Sequence, residues 1–549
     1  MQAKMKLGDF LVSYLKKIGA THLFGIPGDL VLKLFLQFGK PHGLRIVTLS
    51  HEPGVGFAAD AYARASGRIG VVCVTYGAGG FNILNPVAGS FSEKVPILVI
   101  SGGPGEEERR LGQLIHHQAK EIESQFRMFD EITCAAALID DPERAAREVD
   151  RVIRAIWMNR RPGYIEIHRD MVDQIIPVPK TIRNWDGNLP NRQSDHRRVI
   201  EAARETAARF NRAKRPLLMV GIEVHRYKLM REIVELAERM GAPVTTTVLG
   251  KGAFPTDHPL HMGVHVGPIS PVKIRRRVDD ADLVINLGTL LTDMNLGSQP
   301  PQITRDKSIW AVDNKVNVSF HTYAEVTLRD FVKELLKTDL KRHREEVHVC
   351  DNLPPRRKDP GRKLRVADVL NEINAFLASR KNFMVVAESG DALFAGLEIR
   401  APGGLYLAQG FYASMGFAVP GALGAQIACG KRPLVLCGDG AFQMTGPEIS
   451  HAPRHGLNPV VVLMNNGGWG IFRAVTARLD LLQIPNWPYA DLARAWGGVG
   501  LRAETLGEFA QALAAAAEAP SFSLIECRIG PRDLSPISIK YIKRSVRQK

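Results

Sequence analysis

The sequence predicts an α/β protein built from three doubly wound domains, each with a parallel sheet covered by helices on both faces. Three observations lead to this prediction. The 549 residues suffice for several domains of roughly 150 residues each. The candidate strands are apolar throughout and are separated by amphipathic helices, a pattern typical of parallel sheets buried on both faces. Most of these strands end in Gly, Asp or Asn, at the sheet edge where such folds bind ligands.

The first predicted domain covers residues 1–180. Residues 7–18 have the apolar spacing of an amphipathic helix, and the segment GFAADAYARASG predicts a second helix that ends at a glycine. The β-branched run RIGVVCVTYGAGG predicts a buried strand that ends in a glycine-rich turn. Polar residues with little helical pattern over 180–197 predict a linker to the next domain.

The second predicted domain covers residues 198–345 and the third covers 364–549. A charged segment with prolines over 341–363 predicts the linker between them. Both domains contain several apolar runs of strand length. The runs that predict strands are RPLLMVGIEV, APVTTTVLGKG, ADLVINLGTLL, NFMVVAESGD, RPLVLCGDG, NPVVVLMNN and SFSLIECRIG.

The composition indicates a folded, soluble protein. Hydrophobic residues make up 45% of the chain and charged residues 23%, which are ordinary globular values. No apolar run approaches the length of about 18 residues expected of a membrane span, and the N-terminal region alternates charged and apolar residues instead of forming a secretory signal. We therefore expect a cytoplasmic location and no membrane partner.

The cysteines are scattered and form no CxxC pair, so we expect reduced core residues and no metal cluster among them. They are Cys73, Cys134, Cys350, Cys429, Cys437 and Cys527. The net charge of +15 is concentrated in residues 273–277, residues 356–365 and the C-terminal segment. These stretches lack interleaved aromatic residues that could stack on bases, so we expect no nucleic-acid partner. Of the remaining interpretations, a solvated basic surface is favoured over a surface that attracts anionic small molecules.

The strongest functional motif lies in the third domain, where two buried strands are joined by a helical segment. The first strand ends at Asp439, within a GDG turn, and the second ends at Asn466. Parallel strands joined in this way end at the same sheet edge, so we expect these two side chains to converge. Carboxylate and amide oxygens are ligands that Mg²⁺ prefers, and Gly468 can turn a backbone carbonyl inward. The sequence predicts a Mg²⁺ site at Asp439, Asn466 and Gly468.

The pairing of a GDG turn with an Asn-Asn strand end resembles the diphosphate and metal motif of the thiamine diphosphate-dependent enzymes. A GDG turn alone is most often a plain turn. The likeness covers nearly the whole chain in the domain order pyrimidine-binding, central and diphosphate-binding. It is greatest to the 2-oxo acid decarboxylases of the phenylpyruvate and indolepyruvate group. The segments that carry it are FGIPGD, LSHEPGVGFAADAYAR, VTYGAG, HHQ and GDGAFQMTG.

This resemblance implies that the protein binds thiamine diphosphate and Mg²⁺ and converts a small-molecule 2-oxo acid, above all an aryl one, to an aldehyde and CO₂. A carboligase resembling the acetolactate or acyloin synthases is the alternative within the same cofactor class. A binding protein that retains the fold is the alternative outside it. The adjacent His116 and His117 favour the decarboxylase, because the acetolactate synthase-like relatives generally lack this pair.

The resemblance also assigns catalytic roles. Glu52 would hydrogen-bond the aminopyrimidine ring of the cofactor and activate it, and Asp29, His116 and His117 would act as acid and base groups above the cofactor. Without the family context, Glu52 is an acidic residue at a helix N-terminus before Pro53, and a histidine pair is most often a surface feature.

At Phe472 the sequence differs from the pyruvate decarboxylases, and Asp293 bears on this difference. Those enzymes carry a glutamate six residues after the metal-binding asparagine, where this chain has Phe472. A phenyl ring cannot relay a proton. The phenylpyruvate-type enzymes also lack this glutamate and have an aspartate in the central domain that matches Asp293, so the resemblance implies Asp293 as the substitute proton donor. Asp293 is equally well explained as a plain loop residue. Phe472 fits either a pocket for aryl or long-chain groups or a packed core.

Further residues are expected around the cofactor from the same resemblance, with Met415 as the apolar residue over which the cofactor bends. The complete set of expected cofactor-binding residues is Glu52, Thr75, Gly77, Ser389, Gly390, Asp391, Ala413, Met415, Gly438, Asp439, Gly440, Ala441, Asn466 and Gly468. The expected substrate pocket consists of Phe472, Trp469 and Ala392.

The resemblance implies self-association as well. In this family the pyrimidine-binding domain of one subunit faces the diphosphate-binding domain of another, so we expect at least a dimer and, beyond it, a dimer of dimers. The active sites would lie at the subunit interface. The basic segment after about Pro536 either closes over the site, as tails do in this family, or forms a mobile tail.

Overall fold

The computed structural model of the protein describes residues 3–297, 303–347, 349, 351–474, 476 and 478–547. These residues form two compact units. The first unit contains the chain up to Asn191 together with residues 419–430 and 445–457, and the second contains the remaining described residues. No helix in the described ranges is both long enough and apolar enough to cross a membrane.

The first unit contains a six-stranded sheet and a separate antiparallel strand pair. Its strands are β1 (Ala3–Lys6), β2 (His22–Gly25), β3 (Arg45–Val47), β4 (Gly70–Val74), β5 (Ile97–Gly103), β6 (Ala136–Ile139), β7 (Gly163–His168) and β8 (Ile175–Val178). The six-stranded sheet has the order β3-β2-β4-β5-β7-β6 with all neighbours parallel, and β1 pairs with β8. This parallel sheet agrees with the fold class predicted for the first domain.

Helices cover this sheet, and their ends follow the sequence signals. They are α1 (Leu7–Lys17), α2 (Leu32–Phe38), α3 (Glu52–Ser66), α4 (Ala78–Asn82), α5 (Leu84–Ser92), α6 (Glu106–Leu111), α7 (Ser124–Glu131), α8 (Pro142–Asn159) and α9 (Lys180–Arg183). The predicted glycine-closed helix is α3, which has Pro53 in its first turn and ends at Gly67 with a φ of 74°. Because β4 and β5 are buried along their whole length, they form the centre of the core.

The second unit contains the central sheet, which is parallel in part. Its strands are β9 (Pro216–Val220), β10 (Val244–Thr247), β11 (His261–His265), β12 (Leu283–Leu287), β13 (Ser308–Val312), β14 (Lys315–Val318) and β15 (His321–Ala324). Its helices are α10 (His196–Arg212), α11 (Ile222–Arg226), α12 (Met230–Met240), α13 (Val272–Asp279), α14 (Asp293–Leu296) and α15 (Leu328–Leu335). The strand order is β11-β10-β9-β12-β13-β14-β15.

The last two strands of the central sheet depart from the predicted parallel arrangement. β14 pairs antiparallel with β13, and β15 pairs antiparallel with β14. Two-residue loops join these strands, and Asp313 and Ser319 in the loops have φ angles of 58° and 54°. Such short loops can join only antiparallel neighbours, because a parallel crossover needs a dozen or more residues.

The third sheet also lies in the second unit and is entirely parallel. Its strands are β16 (Phe383–Ala387), β17 (Tyr406–Ala408), β18 (Arg432–Gly438), β19 (Val460–Asn465), β20 (Val499–Ala503) and β21 (Ser523–Arg528), in the order β17-β16-β18-β19-β21-β20. The helices of this part of the chain are α16 (Val366–Ala378), α17 (Asp391–Leu397), α18 (Ala418–Cys429), α19 (Asp439–Thr445), α20 (Tyr489–Ala495), α21 (Leu506–Glu518) and α22 (Pro536–Arg547). Because β16, β18 and β19 are neighbours, the segments that follow them meet at one edge of the sheet.

Short 3₁₀ turns complete the described secondary structure. They are Met171–Asp173, Lys251–Ala253, Arg305–Lys307, Pro402–Gly404, Gly446–His451, Pro453–His455, Gly470–Ala474 and Leu479–Leu482.

Two expectations about surface and core residues need correction. Cys73, Cys437 and Cys527 are buried as expected, but Cys134 is half-buried and Cys429 is exposed at the end of α18. Cys350 lies outside the described residues. Within the basic run over 273–277, Arg277 is buried because its guanidinium pairs with Glu345 at 2.7 Å and donates to the carbonyl of Pro216 at 2.8 Å. The other arginines of this run, Arg275 and Arg276, are half-buried and exposed.

Candidate active site

A cavity of about 490 Å³ lies at the carboxyl ends of the third sheet. Every residue that sequence reasoning placed around the diphosphate, the metal or the substrate in the third domain lines it. These residues are Ser389, Gly390, Asp391, Ala392, Ala413, Met415, Gly438, Asp439, Gly440, Ala441, Asn466, Gly468, Trp469 and Phe472. They converge because they follow the neighbouring strands β16, β18 and β19, or the segment after β17.

Asp439 is the buried carboxylate of this cavity. It follows β18, and its two oxygens accept the backbone N–H groups of Gly440 at 3.0 Å and Gly468 at 2.9 Å. Burial raises the pKa of Asp439, although these N–H groups oppose the rise. A bound cation would offset the cost of burying this negative charge.

Asn466 supplies the second oxygen, and its surroundings fit a metal ion. Its Oδ1 atom is buried and has no hydrogen-bond partner among the described residues. A buried amide oxygen without a partner is costly, so its presence indicates a group that the chain itself does not supply. Gly467 and Gly468 follow with φ angles of 73° and 153°, and this backbone brings the N–H of Gly468 to Asp439. The side-chain oxygens of Asp439 and Asn466 fit an oxygen-ligated divalent cation. The backbone carbonyl of Gly468, the third predicted ligand, accepts the N–H of Gly470 at 2.8 Å.

Two glycines leave space in the cavity for a larger group. A Cβ atom added to Gly438 or to Gly390 would meet no atom within 4 Å, and Gly390 has a φ of 72° that favours glycine. By contrast, a Cβ on Gly440 would lie 2.4 Å from the ring of Trp469, so that glycine lets the indole pack against the turn. The open glycine backbone and the orphaned amide oxygen together fit a metal-bound diphosphate.

The first unit brings the other predicted residues to the carboxyl end of its own sheet. Glu52 is the first residue of α3, and its Oε2 accepts the side-chain N–H of Asn82 at 3.1 Å. The backbone N–H groups of Ser50 and His51, just before it, donate to the carboxylate of Glu448 at 2.8 and 3.1 Å. Glu448 therefore anchors the chain that enters α3, and sequence reasoning missed it because it lies far away along the chain.

Asp29, His116 and His117 form a cluster, as the resemblance implies. The Nε2 of His116 is hydrogen-bonded to Oδ2 of Asp29, and the Nε2 of His117 lies 3.8 Å from Oδ1. Thr75 approaches the same carboxylate at 3.5 Å. Partial burial would raise the pKa of Asp29, but the bond from His116 and the backbone N–H of Leu30 outweigh it and lower the pKa. The cluster therefore holds an ionised carboxylate beside two imidazoles, which suits proton transfer.

Gly77 sits directly beneath this cluster. It has a φ of 64°, and an added Cβ would lie 2.0 Å from the backbone oxygen of His117. Its N–H donates to the side-chain oxygen of Gln125 at 2.7 Å. Gly77 is thus needed for both its backbone conformation and the close approach of His117.

Comparison with known proteins identifies the family. Residues 5–128 match the N-terminal TPP binding domain of thiamine pyrophosphate enzymes, residues 203–338 match the central domain, and residues 388–527 match the C-terminal TPP binding domain. The chain belongs to the thiamine pyrophosphate enzymes. Thiamine pyrophosphate is thiamine diphosphate, so the cofactor class that the motifs imply is confirmed.

The similar proteins narrow the family further. Indole-3-pyruvate decarboxylase of Azospirillum brasilense is 38% identical over 547 residues, which cover 98% of both chains. An alpha-keto-acid decarboxylase of Mycobacterium leprae (strain TN) is 29% identical and matches 94% of this chain and 91% of its own length. Pyruvate decarboxylase isozyme 3 of Saccharomyces cerevisiae is 29% identical, with 90% and 89% covered. This thiamine pyrophosphate enzyme therefore falls among the 2-oxo acid decarboxylases.

Arg473 contacts the loop that carries Asn466, and sequence reasoning missed it. Its guanidinium is buried and donates to the backbone carbonyls of Asn466 at 2.6 Å, Gly467 at 2.5 Å and Pro531 at 3.1 Å. It therefore holds the backbone that directly follows the Asn466 side chain. An isolated arginine in a loop gives no sequence signal for this role.

Aromatic side chains form the outer wall of the cavity. Phe472 and Trp469 line it as predicted, and Phe472 is 54% exposed, which favours the pocket interpretation over core packing. Tyr541 and Ile542 of α22 also line the cavity, and Tyr541 stacks on Phe394 with ring centroids 5.3 Å apart. The C-terminal segment is expected either to close over the site or to form a mobile tail. Tyr541 and Ile542 lie against the site, as the first alternative expects.

Asp391 and Asp293 have surroundings that the sequence did not reveal. Asp391 lines the cavity, but its carboxylate accepts the hydroxyl of Ser535 at 2.7 Å and the backbone N–H of Ser535 at 3.1 Å. It therefore fixes the start of α22, and burial raises the pKa of Asp391 despite these bonds.

Asp293 is exposed as the first residue of α14, and its neighbour Met294 is the residue that lines the cavity.

Proposed function

We propose that this enzyme decarboxylates aryl 2-oxo acids such as phenylpyruvate or indolepyruvate, with thiamine diphosphate held through Mg²⁺. The observation that carries the proposal is the cavity that Asp439, Asn466 and aromatic side chains line together. In it Asp439 is buried, and the Oδ1 of Asn466 has no hydrogen-bond partner among the described residues. The name of the Azospirillum relative supports an indole-type substrate. Two-oxo acid decarboxylation itself follows from family membership.

Each group of residues has a defined task in this proposal. Asp439 and Asn466 would hold Mg²⁺ and through it the diphosphate, while the glycine backbone at Gly390 and Gly438 leaves room for the phosphates. When bound, thiamine diphosphate supplies the electron sink that decarboxylation requires. Glu52, oriented by Asn82, would hold a proton at its carboxylate close to the pyrimidine ring.

Proton delivery and substrate selection fall to other residues. The hydrogen-bonded pair of Asp29 and His116, with His117 beside it, would deliver the proton that the product requires. Phe472 and Tyr541 would pack on the aryl group of the substrate and exclude water from the reacting carbons. Asp293 remains a proposed proton donor, and a normal turnover number in Asp293→Asn would contradict that role.

The first experiment is aldehyde formation from phenylpyruvate, indolepyruvate, pyruvate, a branched-chain 2-oxo acid and benzoylformate. Each is assayed with thiamine diphosphate and Mg²⁺, without the cofactor, and after chelation of the metal. We expect cofactor-dependent aldehyde, with the highest kcat/KM for an aryl substrate. A higher kcat/KM for pyruvate would contradict the aryl preference. A C–C coupled compound as the main product would identify a carboligase instead.

The metal assignment has its own test. Asn466→Leu removes the free amide oxygen, and we expect the affinity for Mn²⁺, measured by electron paramagnetic resonance with thiamine diphosphate present, to fall at least roughly 10-fold. Asn371→Leu on α16 is the matched control, because its amide N–H donates to the carbonyl of Pro354 and Asn371 is not among the residues that line the cavity. Equal Mn²⁺ affinity in the two variants would reject Asn466 as a ligand.

We propose further, from the family resemblance, that two copies of the chain complete each active site, with Glu52 from one copy and Asp439 from the other. Glu52→Gln and Asp439→Asn each disable a homodimer. If sites form between chains, random mixing of the two variants after dissociation restores about a quarter of the wild-type activity, because each mixed dimer has one intact site. If sites form within one chain, no activity returns.

A further inference from the structure

The histidine pair is carried by an exposed loop. Residues 104–123, which we call the histidine loop, join β5 to α7 and include the short helix α6. Most of its side chains are exposed, and Leu111 and Leu114 are 58% and 89% exposed. Apolar burial therefore contributes little to holding this loop, and its polar contacts determine where His116 and His117 stand.

Arg109 makes contacts at both ends of the histidine loop. Its Nε donates to the carbonyl of Pro104 at 3.4 Å, at the start of the loop. Its Nη1 donates to Oε1 of Glu123 at 2.9 Å, at the end of the loop. Its Nη2 lies 3.6 Å from Oε1 of Glu166 on β7, beneath the loop. The side chain is 16% exposed, whereas the next residue, Arg110, is exposed.

Glu166, which Arg109 faces, is itself held in place by buried hydrogen bonds. Its side chain is fully buried, and Oε2 accepts the hydroxyl of Tyr164 at 2.7 Å and the amide N–H of Gln125 at 3.3 Å. Neither its Oε1 nor the Nη2 of Arg109 has a hydrogen-bond partner among the described residues, so the ion pair is the polar contact between them. Gln125 also accepts the N–H of Gly77. The same buried network therefore supports the turn on which His117 rests.

The electrostatics of Glu166 favour an arginine at this place. Burial raises the pKa of Glu166 to about 7, and the hydroxyl of Tyr164 and the charge of Arg109 oppose this rise. A carboxylate in such surroundings is costly to ionise without a cation beside it. Arg109 is the charged donor that faces this carboxyl, so its removal would leave Glu166 with the neutral donors Tyr164 and Gln125.

We propose that Arg109 is a positioning residue: by tying both ends of the histidine loop to Glu166, it holds His116 and His117 beside Asp29. The role of the histidines rests on the proposed function, whereas the anchoring of the loop does not. Displacement of an acid or base group by about 1 Å can lower a rate roughly 100-fold, so loss of this anchor should affect turnover without any contact between Arg109 and the substrate.

The anchoring is tested by hydrogen exchange of the holoenzyme, read by mass spectrometry on peptides of the histidine loop. Arg109→Gln should speed exchange in residues 105–123 roughly 10-fold while peptides of β4 and α8 are unchanged. Arg109→Lys keeps the charge but cannot reach both ends, so it should give an intermediate rate. Arg110→Gln is the matched control and should leave exchange as in the wild type. Unchanged exchange in the loop, or faster exchange throughout the first unit, would overturn the proposal.

The link to the histidines is tested by a double-mutant cycle on kcat. Arg109→Gln alone should lower kcat roughly 10- to 100-fold, with less effect on KM. If Arg109 acts through the histidine pair, Arg109→Gln combined with His116→Gln is no slower than His116→Gln alone. Additive losses would show that Arg109 acts elsewhere. Full activity of His116→Gln would refute the proposed acid and base assignment, and the exchange experiment would still decide whether Arg109 anchors the loop.

Discussion

Oδ2 of Asp439 accepts the backbone N–H of Gly468 at 2.9 Å, which joins the turn after β18 directly to the turn after β19. This contact fixes the separation of the two strand ends that supply Asp439 and Asn466. Arg473 holds the outer side of the second turn through the carbonyls of Asn466 and Gly467. The donor set of the cavity is therefore preorganised, which would reduce the cost of binding the metal-bound diphosphate that we propose.

Alanine at two glycines of the cavity should have opposite structural effects. Gly468→Ala places a Cβ 1.9 Å from the carbonyl oxygen of Leu482 at a φ of 153°, so the metal loop must shift and Mn²⁺ affinity should fall even at high cofactor concentration. Gly438→Ala meets no atom within 4 Å, so the loop should keep its structure. The added methyl group occupies cavity space, and weaker thiamine diphosphate binding is expected. Calorimetric titration of each variant with Mn²⁺ and with thiamine diphosphate measures both affinities. The same affinities in the two variants would contradict the prediction.

Glu52→Gln should separate cofactor binding from turnover. The amide keeps the size of the side chain and its contact with Asn82 but cannot exchange a proton in the same way, so kcat should fall on the order of 10²- to 10⁴-fold. Thiamine diphosphate should still bind, as measured by quenching of tryptophan fluorescence. Glu131→Gln on the exposed face of α7 is the control and should keep the wild-type kcat. A near-wild-type kcat for Glu52→Gln would remove Glu52 from the mechanism.

Phe472→Ala should change which substrate is preferred. Loss of the ring removes an apolar contact with an aryl group, so kcat/KM for phenylpyruvate should fall roughly 10- to 100-fold. Pyruvate has no aryl group, and its kcat/KM should change much less. Phe320→Ala, at an exposed phenylalanine in the loop between β14 and β15, is the matched control. Equal losses for both substrates would indicate a packing role for Phe472 and no role in selectivity.

Glu166 should make the stability of the first unit depend on pH. Its folded pKa is about 7 against an ordinary value of 4.5, because burial disfavours the charged form. A raised carboxyl pKa contributes stability that is present below pH 4.5 and is lost as the pH rises through about 7. The groups that face this carboxyl are Tyr164, Gln125, Arg109 and Glu123.

Glu166→Gln removes that titration. Relative to the variant, the wild type should therefore lose about 3 kcal/mol of unfolding free energy between about pH 4.5 and pH 8. The thermal midpoints of both proteins, measured across this range with the Glu131→Gln control, test the expectation. Parallel pH profiles for the wild type and Glu166→Gln would contradict a raised pKa of Glu166 in the folded protein.

The sequence by itself determined the α/β class and the convergence of Asp439 with Asn466. Both follow from local patterns: apolar runs of strand length, helical spacing between them, and polar residues directly after neighbouring parallel strands. The family motifs also identified Glu52, Asp29, His116 and His117 as site residues. They follow β3, β2 and β5 along the chain, so they could be found from the sequence without knowing how the elements pack.

Only the tertiary structure showed which residues support that chemistry. Glu448 reaches the chain before Glu52, Arg109 reaches Glu166, and Tyr541 reaches Phe394, each across a separation that no local pattern encodes. The two antiparallel strands of the central sheet likewise depend on short hairpin loops that the strand pattern did not reveal. The physical reason is that periodicity reports which face of an element is buried, whereas the partner it is buried against is decided when distant elements pack together.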